Sequence, residues 1–106
     1  MPFIHIPDLT QRLMIPGFRA RMHHGEHMTV SFWDVDAGAS LPEHSHPHEQ
    51  ITTIIRGTFE MTVGGEKKIV EPGDAVVIPP HTTHSATALT ACYIVDFFSP
   101  VREDYR

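Results

Sequence analysis

Two short stretches are the most informative part of this chain: HSHPHEQ at residues 44–50 and PPHTTH at residues 79–84. Imidazole is the commonest metal-binding side chain, and both stretches place histidines in segments that proline interrupts. His44 and His46 are two residues apart, so on a strand they would project from the same face and could close on one ion. Gln50 is four residues after His46, an even separation, so on a strand it would face the same side. The spacing predicts an open metal site whose ligands are His44, His46, Gln50 and His84.

The other candidate ligands have simpler explanations. Glu49 has the opposite parity to Gln50 and should face away from the metal. We expect His48 and His81 at the rim of the site, as structural residues or contacts to a substrate. The remaining cluster flanks the Gly25-Glu26 turn and is interpreted as a solvated turn, with a second metal clip as the alternative; its members are His23, His24 and His27.

Composition and charge limit the class of protein. The 106 residues fit one domain, 41% of them are hydrophobic, and no apolar run is long enough to cross a membrane. The N-terminus does not resemble a secretory signal, and the single cysteine, Cys92, suits a reducing compartment. The formal charge of −5 disfavours a nucleic-acid partner. We therefore expect a cytoplasmic protein with neither a nucleic-acid nor a membrane partner.

The pattern along the chain is typical of β-structure throughout. Strands are predicted at 28–35, 50–56, 58–63, 68–70, 75–78 and 92–98, which are rich in β-branched and aromatic residues. Gly64-Gly65 indicates a two-residue hairpin. Short strands at even spacing, separated by glycine and proline turns, favour an all-β sandwich or small barrel.

The first residues differ from the rest of the chain. Residues 1–17 contain Pro2, Pro7 and Pro16 and predict an extended arm, followed by a barrel domain at 18–106. The arm also carries many apolar side chains, which need a covering surface. We expect a homodimer in which the arm packs on the partner barrel.

Both histidine stretches resemble the two sequence motifs of the cupin superfamily. The first motif runs from Gly38 through the histidine pair and Gln50 to Gly57, and the second runs from Gly73 through Pro79 to His84. The chain departs from the family pattern in three places: Gln50 for glutamate, His81 for glycine and Ala88 for asparagine. The resemblance covers about residues 35–98. It implies an antiparallel β-barrel of the cupin type, which is a double-stranded β-helix or jelly roll.

Glutamine in place of glutamate leaves the predicted ligand set without charge. A divalent ion held by three imidazoles and an amide keeps its full charge, so it is a stronger Lewis acid and favours anionic ligands. Such donors accept Zn, Ni, Fe, Mn or Cu. The sequence therefore predicts one divalent transition metal and does not identify it.

The C-terminal segment DFFSPVREDY, residues 96–105, resembles the tail of the small pectin-degradation cupins that open unsaturated monouronates. Those proteins share the His-Ser-His-Pro-His type of first motif, a glutamine ligand, and an acid, an aromatic and an arginine spaced as Asp96, Phe98 and Arg102 are here. The resemblance implies that these three residues are catalytic: Asp96 moves a proton, Phe98 packs on the sugar ring and Arg102 binds a carboxylate. The alternative is that Asp96 and Arg102 form only a structural ion pair.

Three functions are consistent with these features. The first is a ring-opening metalloenzyme that converts 4,5-unsaturated monouronates from pectin or alginate to linear keto forms, with a small anionic sugar as its ligand. The second is a metal-dependent dioxygenase, because the same histidine-rich shell can bind iron. The third is a non-enzymatic module that binds a small molecule such as a sugar. The fold alone does not decide among them.

Overall fold

The computed structural model describes residues 2–106, so that Met1 of the predicted arm lies outside the described residues. The ten strands are β1 (Arg12–Ile15), β2 (Phe18–His24), β3 (Thr29–Val35), β4 (Ser40–His44), β5 (Glu49–Arg56), β6 (Phe59–Val63), β7 (Glu66–Val70), β8 (Ala75–Ile78), β9 (His84–Ala88) and β10 (Cys92–Ser99). Two 3-10 helices, Ile6–Asp8 and Glu103–Tyr105, lie near the ends of the chain. Within the described range, no helix is long and apolar enough to cross a membrane.

The strands form two antiparallel sheets. Six strands follow the order β1-β2-β3-β10-β5-β8, and four follow the order β4-β9-β6-β7. Apolar side chains from both sheets meet in one core, which includes Phe18, Ile54, Phe59, Met61 and Ile78. The prediction of an all-β, antiparallel jelly-roll barrel is confirmed.

The barrel interior becomes polar towards one end because of the register between β5 and β10. Buried and more exposed residues alternate along both strands, as expected for strands with one inward face. Three inward pairs lie opposite each other across the ladder: Ile54 with Ile94, Thr52 with Asp96, and Gln50 with Phe98. The first pair belongs to the apolar core. The other two therefore carry polar groups into the end of the barrel where β5 begins.

The predicted glycine hairpin is present. Val63 of β6 pairs with Glu66 of β7, so the turn between them has two residues. Gly64 and Gly65 have φ values of 56° and 87°. A two-residue turn with positive φ at both positions matches the twist of the flanking strands, and glycine adopts that conformation at little cost.

Part of the segment 1–17 contributes to the barrel. Strand β1 pairs with β2 at the edge of the six-stranded sheet, with Arg12 opposite Ala20. The Arg12 guanidinium also donates a hydrogen bond to the Tyr105 carbonyl, which links β1 to the C-terminal 3-10 helix. The residues before β1 are more open, and the Phe3 side chain is 88% exposed.

Candidate metal centre

Three histidines converge at the polar end of the barrel. His44 is the last residue of β4 and lies opposite His84, the first residue of β9. His46 is in the loop after β4. The sequence pattern predicts both histidines of the first motif on one strand, and the structure differs at this point. Proline follows His46 and cannot donate to a ladder, which suits a loop at this point. One nitrogen from each ring lies within 4.8 Å of the others.

Backbone carbonyls orient all three rings. The Nδ1 atoms of His44, His46 and His84 lie 2.9, 3.1 and 2.9 Å from the carbonyl oxygens of Pro42, His48 and Thr82. A carbonyl oxygen can only accept a hydrogen bond, so each Nδ1 carries a proton, and in the neutral form of the ring Nε2 then presents a lone pair. Fixing the tautomer from the far side of the ring is the usual support for a metal-binding histidine.

Two of the three rings, His46 and His84, have lowered pKa values, which favour their neutral form. Burial lowers the pKa of His46 to about 4, and the positive charge of Arg102 acts in the same direction. Burial also lowers the pKa of His84. Metals bind the unprotonated imidazole, so these shifts keep the rings ready to bind an ion at neutral pH.

Gln50 approaches the triad from the opposite sheet. Its side chain is buried, and its amide nitrogen donates a hydrogen bond of 2.9 Å to the Thr52 hydroxyl. Its Oε1 atom is therefore turned towards the triad and lies 3.0 Å from Nε2 of His46. Glu49 is exposed, as its opposite parity predicts.

The contact between His46 and Gln50 tests whether a cation fits. With Nδ1 protonated, Nε2 of His46 and Oε1 of Gln50 are both acceptors, and two facing lone pairs repel each other. In addition, Nε2 of His84 is buried without a hydrogen-bond partner among the described residues. A positive ion shared by these atoms satisfies all of them, so the residues present fit a bound divalent metal.

The triad borders a cavity of about 240 Å³. Its lining includes the core side chains Phe18, Phe59, Met61 and Ile94. Besides the three histidines, the lining includes Met14, Ile15, Trp33, Gln50, Thr52, Asp96, Phe98, Arg102 and Tyr105. The cavity therefore combines a metal-binding corner with apolar walls, which is the usual composition of a small-molecule site.

Asp96 is buried in the same cavity. Burial raises the pKa of this carboxyl to about 7, and the polar side chains of Thr52 and Gln50 oppose the shift only in part. Its Oδ1 atom has no hydrogen-bond partner among the described residues. A carboxyl group that exchanges its proton near neutral pH is suited to general acid–base chemistry.

Phe98 and Arg102 complete the wall beside the triad. The Phe98 ring centroid lies 5.8 Å from that of His46. The Arg102 guanidinium carbon is 4.7 Å from the centre of the Phe98 ring and 3.9 Å from the centre of the Tyr105 ring. Arg102 pairs with Asp104 through two hydrogen bonds of 3.0 and 2.7 Å. The carboxylate partner of Arg102 is thus Asp104, and the alternative of an Asp96–Arg102 ion pair does not describe this structure.

The other histidines take different positions. His48 packs edge-on against Phe98, with ring centroids 6.4 Å apart. His81 has a φ of 62° and donates its backbone N–H to the carbonyl of His46, so it supports the loop that carries a ligand. Across the described residues, the triad is the one group of three or more histidine, cysteine or acidic side chains close enough to share an ion. The turn at residues 25–26 lies between β2 and β3, and Nδ1 of His24 contacts the Thr29 hydroxyl.

Sequence reasoning missed several residues of the cavity. Thr52 has the parity of Gln50 on β5, so the same alternation could have identified it. Tyr105 lies within the tail segment that the resemblance singled out. Met14 and Ile15 come from β1, and Trp33 from β3; nothing in the local sequence connects them with the histidines, because only the packing of the two sheets brings them together.

Comparison with known proteins supports this description. Residues 31–98 match the family described as the Cupin domain. The pectin degradation protein KdgF of Dickeya dadantii (strain 3937) is 36% identical over 70 residues, which are 64% of this chain and 64% of that protein. The match to this curated relative thus spans less than two thirds of its length.

Two solved structures resemble the chain over its whole length. KdgF from Halomonas sp. is 33% identical, with a TM-score of 0.93 over 100% of this chain and 99% of that one. An RmlC-like cupin from Shewanella frigidimarina NCIMB 400 is 28% identical, with a TM-score of 0.94 over 100% and 96% of the two chains.

Proposed function

The chain belongs to the cupin domain family, and from that premise we propose that it is a metal-dependent enzyme that opens 4,5-unsaturated monouronates. The substrates in this proposal are the cyclic sugars released from pectin or alginate, and the products are their linear keto forms. The similarity to the pectin degradation protein KdgF supports this substrate class. The observation that supports this reaction is a buried acid, Asp96, in the same cavity as three histidines close enough to share a metal ion.

Four side chains hold the metal in this proposal: His44, His46, Gln50 and His84. When bound, a divalent ion supplies Lewis acidity, and an uncharged ligand set leaves its charge available to an anionic sugar. The oriented Nε2 atoms and the facing Gln50 oxygen support this assignment. Imidazole and amide donors accept Zn, Ni, Fe, Mn or Cu, so the identity of the metal depends on its supply.

Asp96 moves the proton. In the cyclic substrate the ring oxygen joins the anomeric carbon to carbon 5 of the double bond. Opening breaks the bond from the anomeric carbon to the ring oxygen, turns the anomeric hydroxyl into an aldehyde, and leaves an enolate that becomes a ketone when carbon 4 is protonated. Asp96 accepts the hydroxyl proton and returns a proton to carbon 4, so the reaction is an isomerisation with no net change in atoms. A pKa of about 7 suits both steps at neutral pH.

Phe98 and Arg102 bind the sugar. Phe98 borders the triad and offers an apolar ring against which a sugar face packs. Arg102 supplies a positive charge at the cavity wall, where it attracts the substrate carboxylate. The cavity of about 240 Å³ suits a ligand of single-ring size.

The test is a substrate panel with metal-reconstituted protein. Purified protein is stripped of metal, reloaded separately with Zn, Ni, Fe, Mn and Cu, and mixed with unsaturated monouronates from pectin and from alginate. The loss of ultraviolet absorbance of the conjugated double bond is measured against spontaneous opening. We expect acceleration with at least one metal. If no fully loaded form accelerates opening of either sugar, the proposal is wrong; oxygen consumption with aromatic substrates then tests a dioxygenase, and calorimetry with sugars tests a binding module.

A further inference from the structure

Arg102 makes contacts through its backbone, through the face of its guanidinium and through one guanidinium edge. It lies between β10 and the C-terminal 3-10 helix, and its backbone N–H donates a hydrogen bond of 3.0 Å to the buried Thr29 hydroxyl. The guanidinium lies against the rings of Phe98 and Tyr105. Its Nε and Nη2 atoms both donate to the Asp104 carboxylate. Three contacts therefore fix the position of the Arg102 side chain: the backbone hydrogen bond to Thr29, the two aromatic rings against the guanidinium, and the Asp104 carboxylate along one guanidinium edge.

Asp104 accepts two hydrogen bonds from Arg102 and is not part of the cavity lining. Arg102, Phe98 and Tyr105 line the cavity, whereas Asp104 lies beyond its wall. The side chain of Arg102 is only 8% exposed and that of Asp104 is 58% exposed. The hydrogen bonds from Arg102 lower the pKa of Asp104, so this carboxyl is ionised at neutral pH. The negative charge compensates a largely buried cation without occupying the space in which a ligand binds.

The geometry leaves part of the guanidinium for a ligand. Arginine has five N–H donors in a rigid plane, and Asp104 accepts from two of the three nitrogens. Clamping one edge of a planar group determines the direction of the others. A preorganised guanidinium loses less conformational entropy when it binds a carboxylate than a free one does.

Resting on the proposed function, we propose that Asp104 is a positioning residue, which fixes the Arg102 guanidinium so that it receives the carboxylate of the sugar acid at the cavity wall. Asp104 does not touch the substrate in this arrangement. Its effect therefore depends on Arg102. Asp104 should influence binding of the substrate carboxylate more than the proton transfer at Asp96.

The experiment compares Asp104→Asn with Glu103→Gln as the matched control. Glu103 is the neighbouring acid and pairs with Arg106 at the surface. Two quantities are measured on metal-loaded protein: KM and kcat for opening of the unsaturated sugar, and the calorimetric Kd of saturated galacturonate, which has no double bond to open. We expect Asp104→Asn to raise both KM and Kd about tenfold, the effect of one charge-assisted hydrogen bond, with a small change in kcat. Glu103→Gln should change neither constant, and Asp104→Glu should restore part of the loss.

A double-mutant cycle tests whether Asp104 acts through Arg102. In an Arg102→Ala background, Asp104→Asn should have no further effect on Kd, because the group that it positions is gone. Equal effects of Asp104→Asn in both backgrounds would overturn the proposal, as would an unchanged Kd in the single variant. If wild-type protein opens no uronate but binds galacturonate, the proposed function fails and the Kd cycle still decides the role of Asp104. If it binds no uronate at all, both proposals are overturned.

Discussion

Oε1 of Gln50 lies 3.0 Å from Nε2 of His46, with each atom presenting a lone pair to the other. The two residues come from different parts of the barrel: Gln50 from a strand of the six-stranded sheet and His46 from the loop after β4. Carbonyl and hydroxyl contacts on their far sides keep them in this arrangement. The Gln50 amide oxygen and the three histidine rings thus converge on a position that favours a cation.

Removal of one ring should release the metal and leave the barrel folded. His46→Ala is expected to lower metal affinity by orders of magnitude, since an open site with fewer ligands binds weakly, while the apolar core does not depend on the ion. Elemental analysis and circular dichroism measure the two effects. His5→Ala, in the exposed arm, is the control and should retain the wild-type metal content. Unchanged metal content in His46→Ala would contradict the assignment.

Loss of the buried acid should stop catalysis without loss of metal. Asp96→Asn keeps the shape of the side chain but removes its ability to accept and donate a proton. Turnover of the unsaturated sugar should therefore fall at least about a hundredfold. Metal content should equal that of the wild type, because the four predicted ligands are untouched. The ultraviolet assay and elemental analysis are run on the same preparation. Substantial residual turnover would exclude Asp96 as the proton carrier.

Loss of the guanidinium should appear mainly in binding. Arg102→Ala is expected to raise KM for the anionic sugar about tenfold or more, with a smaller fall in kcat if the orientation of the ring also changes. Phe98→Ala should lie between Arg102→Ala and Asp96→Asn in its effect on kcat, because it removes a packing surface. Steady-state kinetics separate these effects. A KM for Arg102→Ala equal to that of the wild type would argue against a carboxylate contact.

The free energy of unfolding of the metal-free protein should depend on pH through the ionisation of Asp96. Its pKa rises from 3.8 to about 7 on folding, so between these values the folded state binds the proton more strongly than the unfolded state does. That preference stabilises the fold fully below the lower value and is lost as the pH rises through about 7. The free energy of unfolding of the wild type, relative to Asp96→Asn, should therefore fall between about pH 4 and about pH 8. Subtracting the variant removes the opposite contributions of His46 and His84. Urea titrations in a chelator measure this difference, and a flat profile would contradict the shift.

Exposed apolar side chains lead to a prediction about assembly. Phe3 is 88% exposed and Leu13 is 69% exposed, and Ile51, Val77 and Phe97 are also exposed on the six-stranded sheet, where Ile51 pairs with both of the others. A partner surface that covers them would gain free energy by removing apolar area from water. We predict a homodimer, with twice the 11.9 kDa chain mass in light scattering at micromolar concentration. Phe3→Ser combined with Leu13→Ser should weaken it if the arm takes part, and a wild-type monomer would contradict it.

Much of this protein follows from local sequence. Strand β8 has the predicted bounds, and β3, β5, β6, β7 and β10 lie within two residues of theirs, because alternation and turn glycines act over a few neighbouring residues. Strands β1, β2, β4 and β9 are not among the predicted strands, and β1 lies in the segment predicted as an extended arm. β4 contains Pro42, which a strand tolerates at the edge of a sheet, and β4 is such an edge. Whether a segment lies at an edge depends on its partners and cannot be read from the segment itself.

The site divides in the same way. The sequence alone predicts His44, His46, Gln50 and His84 as ligands, because motif spacing is a property of the chain, and the structure brings these four side chains together. Only the tertiary structure showed that Asp104, not Asp96, pairs with Arg102, and that Tyr105, Trp33 and β1 enclose the cavity. These relationships arise when two sheets and both ends of the chain pack together. The contacts that orient a buried charge are then chosen by distance in space, which spacing along the sequence does not determine.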